Sequence, residues 1–323
     1  MSSLPLQLKA ELTRGLVKTR WMDKLHGPLD IPEVSKIEQV CSLLWERKGK
    51  RLRSQWVYWF GEAWGVPANQ LKLYAWAVEA IHTATLLHDD VIDKAPLRRG
   101  GPSANEIFDN TLPVLSGDYL LSDAIFQLSD SGHPLLVKLM CRAVKELTQG
   151  EVLQYEHQYR IPQNEQYYET LNRLKTSALL HWAAQVGSVL KTGKENSMVS
   201  EIAFRYGALY QLTDDVLDVR GTPTKKSWQD LREGKVNEVV FLLFNTYPEI
   251  KDEWEPMLSE RCFNPDCLQK LQKFAQDSAF QEILKSRLEA AKEKCLQSIR
   301  SIPHSQMKAI LEKLTCFTVD RLS

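Results

Sequence analysis

The chain has 323 residues, 43% hydrophobic and 25% charged, which is enough to bury a sizeable core and ordinary for a globular protein. Its 41 Lys and Arg balance 41 Asp and Glu, which excludes a global field that recruits nucleic acid or an anionic membrane. No run approaches the roughly 18 apolar residues of a membrane span, so any charge-driven chemistry is local.

In chain order, the opening "MSSLPLQLKAELTRGLVKTRWMDK" has no uninterrupted apolar stretch and carries Glu11 and Asp23. That predicts no targeting peptide and a soluble, cytoplasmic protein. "GKRLRS" then places Lys50 and Arg53 three apart at a helix start. "LKLYAWAVEAIHTATLLHDDVID" (71–93) has no Gly or Pro and is apolar on nearly every side apart from Glu79 and two histidines, the pattern of a helix enclosed by others. "APLRRGGPSAN" reads as a loop. "YYETLNRLKTSALLHWAAQVGSVLKTG" (167–193) is a helix closing at Gly193, with Lys175 interrupting its apolar face. "VSEIAFRYGALYQLTDDVLDV" (199–219) is another, and the C-terminal third carries one amphipathic stripe from "DCLQKLQKF" to "CLQSI". The breaks are too short for flexible linkers. The expectation is therefore an all-α chain, 1–323 as a single domain, with a buried central set of helices and a more solvated C-terminal set. Six dispersed cysteines read as reduced thiols, and "CFNPDC" lacks the further ligands of a zinc site.

Two helices end in the same acidic spacing, Asp89, Asp90 and Asp93 in "HDDVID" and Asp214, Asp215 and Asp218 in "TDDVLD". Positions i and i+4 share a helix face, so like charges are stacked at a C-terminus where the macrodipole already disfavours them. One such cluster fits a solvated helix end. Two, each fused to a helix that should be buried, call for a compensating cation. Carboxylates alone suit Mg²⁺, which takes one or two per ion and completes its shell with water and phosphate oxygens. Lys50, Arg53, Arg98, Arg99, Lys175, Lys226 and Lys235 supply basic groups of the kind that bind diphosphate, although singly each reads as surface decoration. His82 lies two turns before Asp89 on the same face, where a satisfied core histidine is the bland alternative. No catalytic Ser/His/Asp set, nucleotide-binding glycine loop or HExxH motif is present.

With "GKRLR", "IHTATLLHDDVID", "RRGGP", "GDYLL", "QGEVLQ", "LKTSAL", "YQLTDDVLD" and "DLREGK" in this order across residues 45–235, the sequence resembles the trans-isoprenyl (polyprenyl) diphosphate synthase family. The resemblance implies a bundle of mostly antiparallel helices around a central cavity, the isoprenoid synthase type of fold, in a homodimer. It implies a prenyltransferase that condenses an allylic diphosphate with isopentenyl diphosphate by ionisation, condensation and elimination. By the same resemblance Asp89, Asp90, Asp93, Asp214, Asp215 and Asp218 bind Mg²⁺, about three ions per site. Arg98, Lys175, Thr176, Gln211, Lys226 and Lys235 contact the allylic diphosphate, and Lys50, Arg53, His82 and Arg99 the isopentenyl diphosphate. Small residues at Ala84, Thr85 and Ser122 imply a deep tunnel and a product of twenty carbons or more, although Tyr119, Phe126 or Tyr155 would close it lower down. A short-chain farnesyl synthase, a terpene cyclase and a non-catalytic subunit of a heteromeric synthase are the alternatives. One departure stands out: "GKVNEVV" has Asn237 and Glu238 where the family commonly has Thr and Leu.

Overall fold

The computed structural model describes residues 35–45, 47, 49–221, 227–262 and 265–322. Helices α1 (Ser35–Trp45), α2 (Leu52–Ala63) and α3 (Ala68–Ile92) lead into a small hairpin, β1 (Leu97–Arg98) and β2 (Gly101–Pro102). There follow α4 (Ala104–Phe108), α5 (Thr111–Ser129), α6 (Pro134–Glu156) and α7 (Gln166–Leu171). A π-helical stretch, Asn172–Ser177, continues without a break into α8 (Ala178–Thr192). Then come α9 (Ser197–Arg220), α10 (Gln229–Arg232), α11 (Glu238–Thr246), α12 (Pro248–Ser259), α13 (Pro265–Gln276), α14 (Ser278–Arg300) and α15 (Ser305–Asp320). Among the described residues the hairpin is the only β structure, and the expected all-α class holds. None of these helices is long and apolar enough to cross a membrane.

The described residues divide into two compact units. The first contains 35–142 and Trp182–Asn196. Its axis is α3, whose buried residues Leu71, Trp76, Ala77, Val78, Ile81, Ala84 and Leu87 lie on all sides, with α2 and α5 packed against it. The sequence permits a close approach of α5: a Cβ on Gly117 would fall 2.2 Å from His88 Nε2, so only glycine fits there. Glu79, the one acidic residue of this helix ahead of Asp89 and Asp90, is 4% exposed. It is satisfied by the Ser54 amide at 3.0 Å and by Arg51 Nη1 at 3.4 Å.

The second unit contains Ala143–His181 and 197–322. Here α9 is central, flanked by the π-helical stretch, α11, α14 and α15. Tyr168, Trp228, Phe241, Phe244, Trp254 and Phe280 anchor its core, and burying a side chain of that size contributes roughly 1.5–3 kcal/mol.

Three local expectations change. The amphipathic C-terminal stripe is two helices, because Asp277 Oδ1 accepts the amides of Ala279 (3.0 Å) and Phe280 (3.4 Å) and caps α14. The arginine loop is a two-residue hairpin, pairing Leu97 with Pro102 and Arg98 with Gly101. Its turn residues Arg99 (φ 50°) and Gly100 (φ 79°) both take the left-handed conformation that such a turn needs. Lys50 precedes α2 rather than starting it, since Arg51 at φ 48° turns the chain first.

Candidate active site

In the first unit α3 delivers the first acidic cluster at its C-terminal end. Asp89 and Asp93 are half-buried, one turn apart, and the Asp93 amide closes the helix on the Asp89 carbonyl at 2.8 Å. Asp90, a third of a turn round, is fully buried and accepts from Arg98 Nε at 2.6 Å. Burial pushes its carboxyl up, opposed by Arg98. Its other oxygen, Oδ2, is buried without a hydrogen-bond partner. The hairpin thus aims Arg98 back at the cluster, and Arg47 Nη1 fastens the Arg98 carbonyl at 2.8 Å.

Two turns up α3, His82 sits in a strongly cationic setting. Burial, then Arg53, Arg99, Arg51 and Arg98, holds it well below its ordinary value, so it is neutral at pH 7. Arg99 is steered there by its Nη1 bond to the Leu44 carbonyl at 3.1 Å. Three of the four residues assigned to isopentenyl diphosphate, Arg53, His82 and Arg99, therefore share one electrostatic environment. The fourth, Lys50, is exposed three residues before Arg53. Two of these four guanidinium groups face carboxylates, Arg51 at Glu79 (3.4 Å) and Arg98 at Asp90 (2.6 Å), and the positive field that remains at His82 suits an anionic ligand.

In the second unit Lys175, Thr176, Gln211, Asp215 and Lys235 line one cavity of about 210 Å³. The π-helical stretch presents Lys175 and Thr176, a local geometry frequent at functional sites. Lys175 Nζ pairs with Glu151 Oε2 at 2.5 Å and donates to Gln154 Oε1 at 2.7 Å, which resolves the cost of an ammonium on a buried face. A polar chain then crosses the cavity wall: Thr176 Oγ1 donates to Gln211 Oε1 at 2.7 Å, and Gln211 Nε2 donates to Asp215 Oδ1 at 2.9 Å. Burial and nearby Asp230 push Asp215 well above the usual carboxylate range, while Gln211 pulls it back.

The two acidic clusters share a spacing but not an environment. Asp215 and Asp218 are buried, and Asp218 accepts from the Asp230 amide (3.2 Å to Oδ2). Asp214 is the open member of its cluster and accepts from Arg321 Nη2 at 2.6 Å, near the end of the chain. That guanidinium also reaches the Tyr210 carbonyl at 3.3 Å and lies 4.7 Å over the Tyr210 ring.

Lys226 lies outside the described residues. Ala84 is buried, Thr85 half-buried with its hydroxyl on the His82 carbonyl (2.9 Å), and Ser122 exposed. Phe126 and Tyr155 are exposed as well, and Tyr119 is half-buried. Sequence reasoning missed Gln154, His157, Arg160 and Asp230 in the cavity wall. It also missed Arg321, whose partner is 107 residues away.

Among the described residues no three His, Cys, Asp or Glu side chains form a ready metal cage. The donors fit Mg²⁺ all the same, because that ion uses few protein carboxylates and relies on phosphate and water oxygens. The unpartnered Asp90 oxygen and the raised Asp215 carboxyl are the electrostatic conditions a divalent cation would relieve.

The sequence profile of the family described as Polyprenyl synthetase matches residues 34–275. The all-trans-nonaprenyl-diphosphate synthase (geranyl-diphosphate specific) of Rhodobacter capsulatus is 30% identical over 297 residues, covering 90% of each chain. The octaprenyl diphosphate synthase of Escherichia coli (strain K12) is 33% identical over 208 residues, 63% of this chain and 64% of that one. The crystal structure of a decaprenyl diphosphate synthase from Rhodobacter capsulatus superimposes with a TM-score of 0.83 at 25% identity, covering 98% of this chain and 96% of the other. A polyprenyl synthase from Caulobacter crescentus CB15, complexed with calcium and isoprenyl diphosphate, gives 0.81 at 26% identity over 98% and 96%. The chain is a prenyltransferase of the polyprenyl synthetase family.

Proposed function

We propose that the chain condenses an allylic diphosphate with isopentenyl diphosphate in the trans configuration, yielding polyprenyl diphosphates of twenty carbons or more. The observation that carries this reading is the cavity that gathers Lys175, Thr176, Gln211, Lys235 and Asp215. Its cationic and hydroxyl groups suit a diphosphate. Arg53, Arg99 and His82 supply a second anion pocket, which a terpene cyclase does not need. The family profile matches residues from both compact units, which supports reading the chain as one family domain in sequence.

Mg²⁺, about three ions per site, would be held by Asp89 and Asp93, with Asp90 behind them, and by the Asp214, Asp215 and Asp218 cluster. Bound metal supplies Lewis-acid stabilisation of the diphosphate as it leaves. Lys175 and Lys235 add positive charge where the leaving group gathers negative charge, and Thr176 and Gln211 orient its oxygens. Arg98, Lys226 and Lys50 complete the two diphosphate sets. Holding both substrates removes much of the entropic barrier to carbon–carbon bond formation. The allylic cation is attacked by the isopentenyl double bond, and the departing diphosphate takes the proton.

The small side chains of Ala84 and Thr85 and the relatives named for nonaprenyl and octaprenyl products favour long chains. A homodimer is supported by Leu115 and Phe126, exposed on α5 by 52% and 63%. Free cysteines throughout the described residues support a cytoplasmic location. Incubation with labelled isopentenyl diphosphate, farnesyl diphosphate and Mg²⁺ gives products longer than farnesyl diphosphate, and chelator stops the reaction. Asp89→Ala lowers turnover by more than about a thousandfold with the helical circular dichroism unchanged. Products that stop at farnesyl diphosphate, or an active Asp89→Ala, overturn the reading. The Bacillus subtilis relative is named heptaprenyl diphosphate synthase component 2, so light scattering and turnover of the chain by itself distinguish a homodimer from one half of a heteromer.

A further inference from the structure

The departure at Asn237 and Glu238 has a structural counterpart. Asn237 caps α11, its Oδ1 accepting the Val240 amide at 3.0 Å and its Nδ2 donating to Asp230 Oδ2 at 3.1 Å. The next amide, that of Glu238, donates to Asp215 Oδ2 at 3.1 Å. The start of α11 is therefore what holds one oxygen of the most buried carboxylate in the cavity, while Gln211 holds the other.

Where the family commonly has leucine, this chain places a carboxylate that is only 9% exposed, beside Asp215. An unpaired charge there would drive the backbone apart. Arg287 of α14 prevents this. Its Nε and Nη2 donate to Glu238 Oε1 at 3.0 and 2.8 Å, and Nη2 also lies 2.9 Å from Glu165 Oε2. Neither Arg287 nor Glu238 borders the catalytic cavity. Both line a separate cleft behind it, with Glu169, Phe204 and Lys294.

We propose that Arg287 is a positioning residue for the reaction: through Glu238 it seats the first turn of α11 on Asp215 and so fixes the second acidic cluster for the metal-bound diphosphate. This rests on the diphosphate reading of the cavity. Removing the guanidinium leaves Glu238 and Asp215 repelling each other across one peptide, and the amide that holds Asp215 moves away. Replacing both members of the pair by leucine restores the apolar seat usual in the family and removes the repulsion.

The test compares the wild-type chain with Arg287→Ala, Arg287→Lys and the double variant Glu238→Leu/Arg287→Leu. Binding of inorganic pyrophosphate in saturating Mg²⁺ is read by calorimetry, and KM for each substrate by turnover. In Arg287→Ala, pyrophosphate affinity falls and KM for the allylic diphosphate rises about tenfold, the usual size for an outer residue behind a metal ligand. KM for isopentenyl diphosphate stays within about twofold, and the double variant and Arg287→Lys each recover most of the loss. Should Arg287→Ala lose its helical circular dichroism, Arg287→Gln, which removes the charge and keeps most of the side chain, makes the same comparison: weaker pyrophosphate binding is expected, and binding like wild type overturns the proposal. The proposal is overturned if Arg287→Ala binds pyrophosphate like wild type, if both KM values rise together, or if the double variant stays as weak as the single. A wild-type chain that binds pyrophosphate but fails to elongate a prenyl substrate counts against the function and not against Arg287. One that does not bind pyrophosphate overturns both.

Discussion

His82 shows how one side chain reports on an entire pocket. Its neutral form is enforced by burial and by Arg53, Arg99, Arg51 and Arg98, so its proton affinity in the fold is below that of the unfolded chain. The sign follows from proton counting: as pH falls below about 6.5 the unfolded chain takes up a proton that the folded one refuses, and stability drops. His82→Gln should flatten that acid slope, measured as melting temperature between pH 7 and pH 5.5. An anion seated among the same arginines offsets their field. Titration of the His82 ring by NMR should therefore move upward on adding isopentenyl diphosphate, and an unmoved titration would place that substrate elsewhere. Glu79 was visible in the sequence as an anomaly on an apolar helix. Its pairing with Arg51 was not, because 28 residues separate the two and no local periodicity links them.

Among the elements, the stretch from Gln166 to Thr192 carries the least legible information. Its hydrophobic period gives one helix and Gly193 ends it as expected, at φ 68°. A single widened π turn inside it leaves that period almost intact, so the presentation of Lys175 and Thr176 was hidden. The neighbouring helix α6 accommodates the widened turn at Gly150, where a Cβ would lie 2.6 Å from Lys175 Cγ and 3.0 Å from Leu174 Cβ. Gly150→Ala should displace the lysine stem, cost about 1–3 kcal/mol of stability as overpacking does, and raise KM for the allylic diphosphate more than for isopentenyl diphosphate. Equal KM values in variant and wild type would mean that Lys175 does not need this seat. The split at Asp277 was legible in principle, since an aspartate two residues before an apolar run is a capping signal. The continuous amphipathic stripe on either side outweighed it.

At the scale of the molecule, the all-α class and the two acidic helix ends could be read from periodicity and spacing alone, because both are local patterns. What the sequence did not contain was the asymmetry between the clusters. One opens two carboxylates and buries Asp90, and the other buries two and leaves Asp214 open. Those environments are set by partners from other elements, and the partners differ greatly in their distance along the chain. Asp90 meets Arg98 across eight residues, whereas Asp214 meets Arg321 across 107. Contacts between distant residues pay for closure of a long loop before they form. During refolding from denaturant, the first cluster should acquire its guanidinium early and the second only when the C-terminal helix docks. Recovery of turnover then trails recovery of helical circular dichroism in wild type, with the lag set by docking of α15. The fastening of Asp214 by Arg321 thus makes the order of assembly, and not only the final arrangement, part of how this site comes into being.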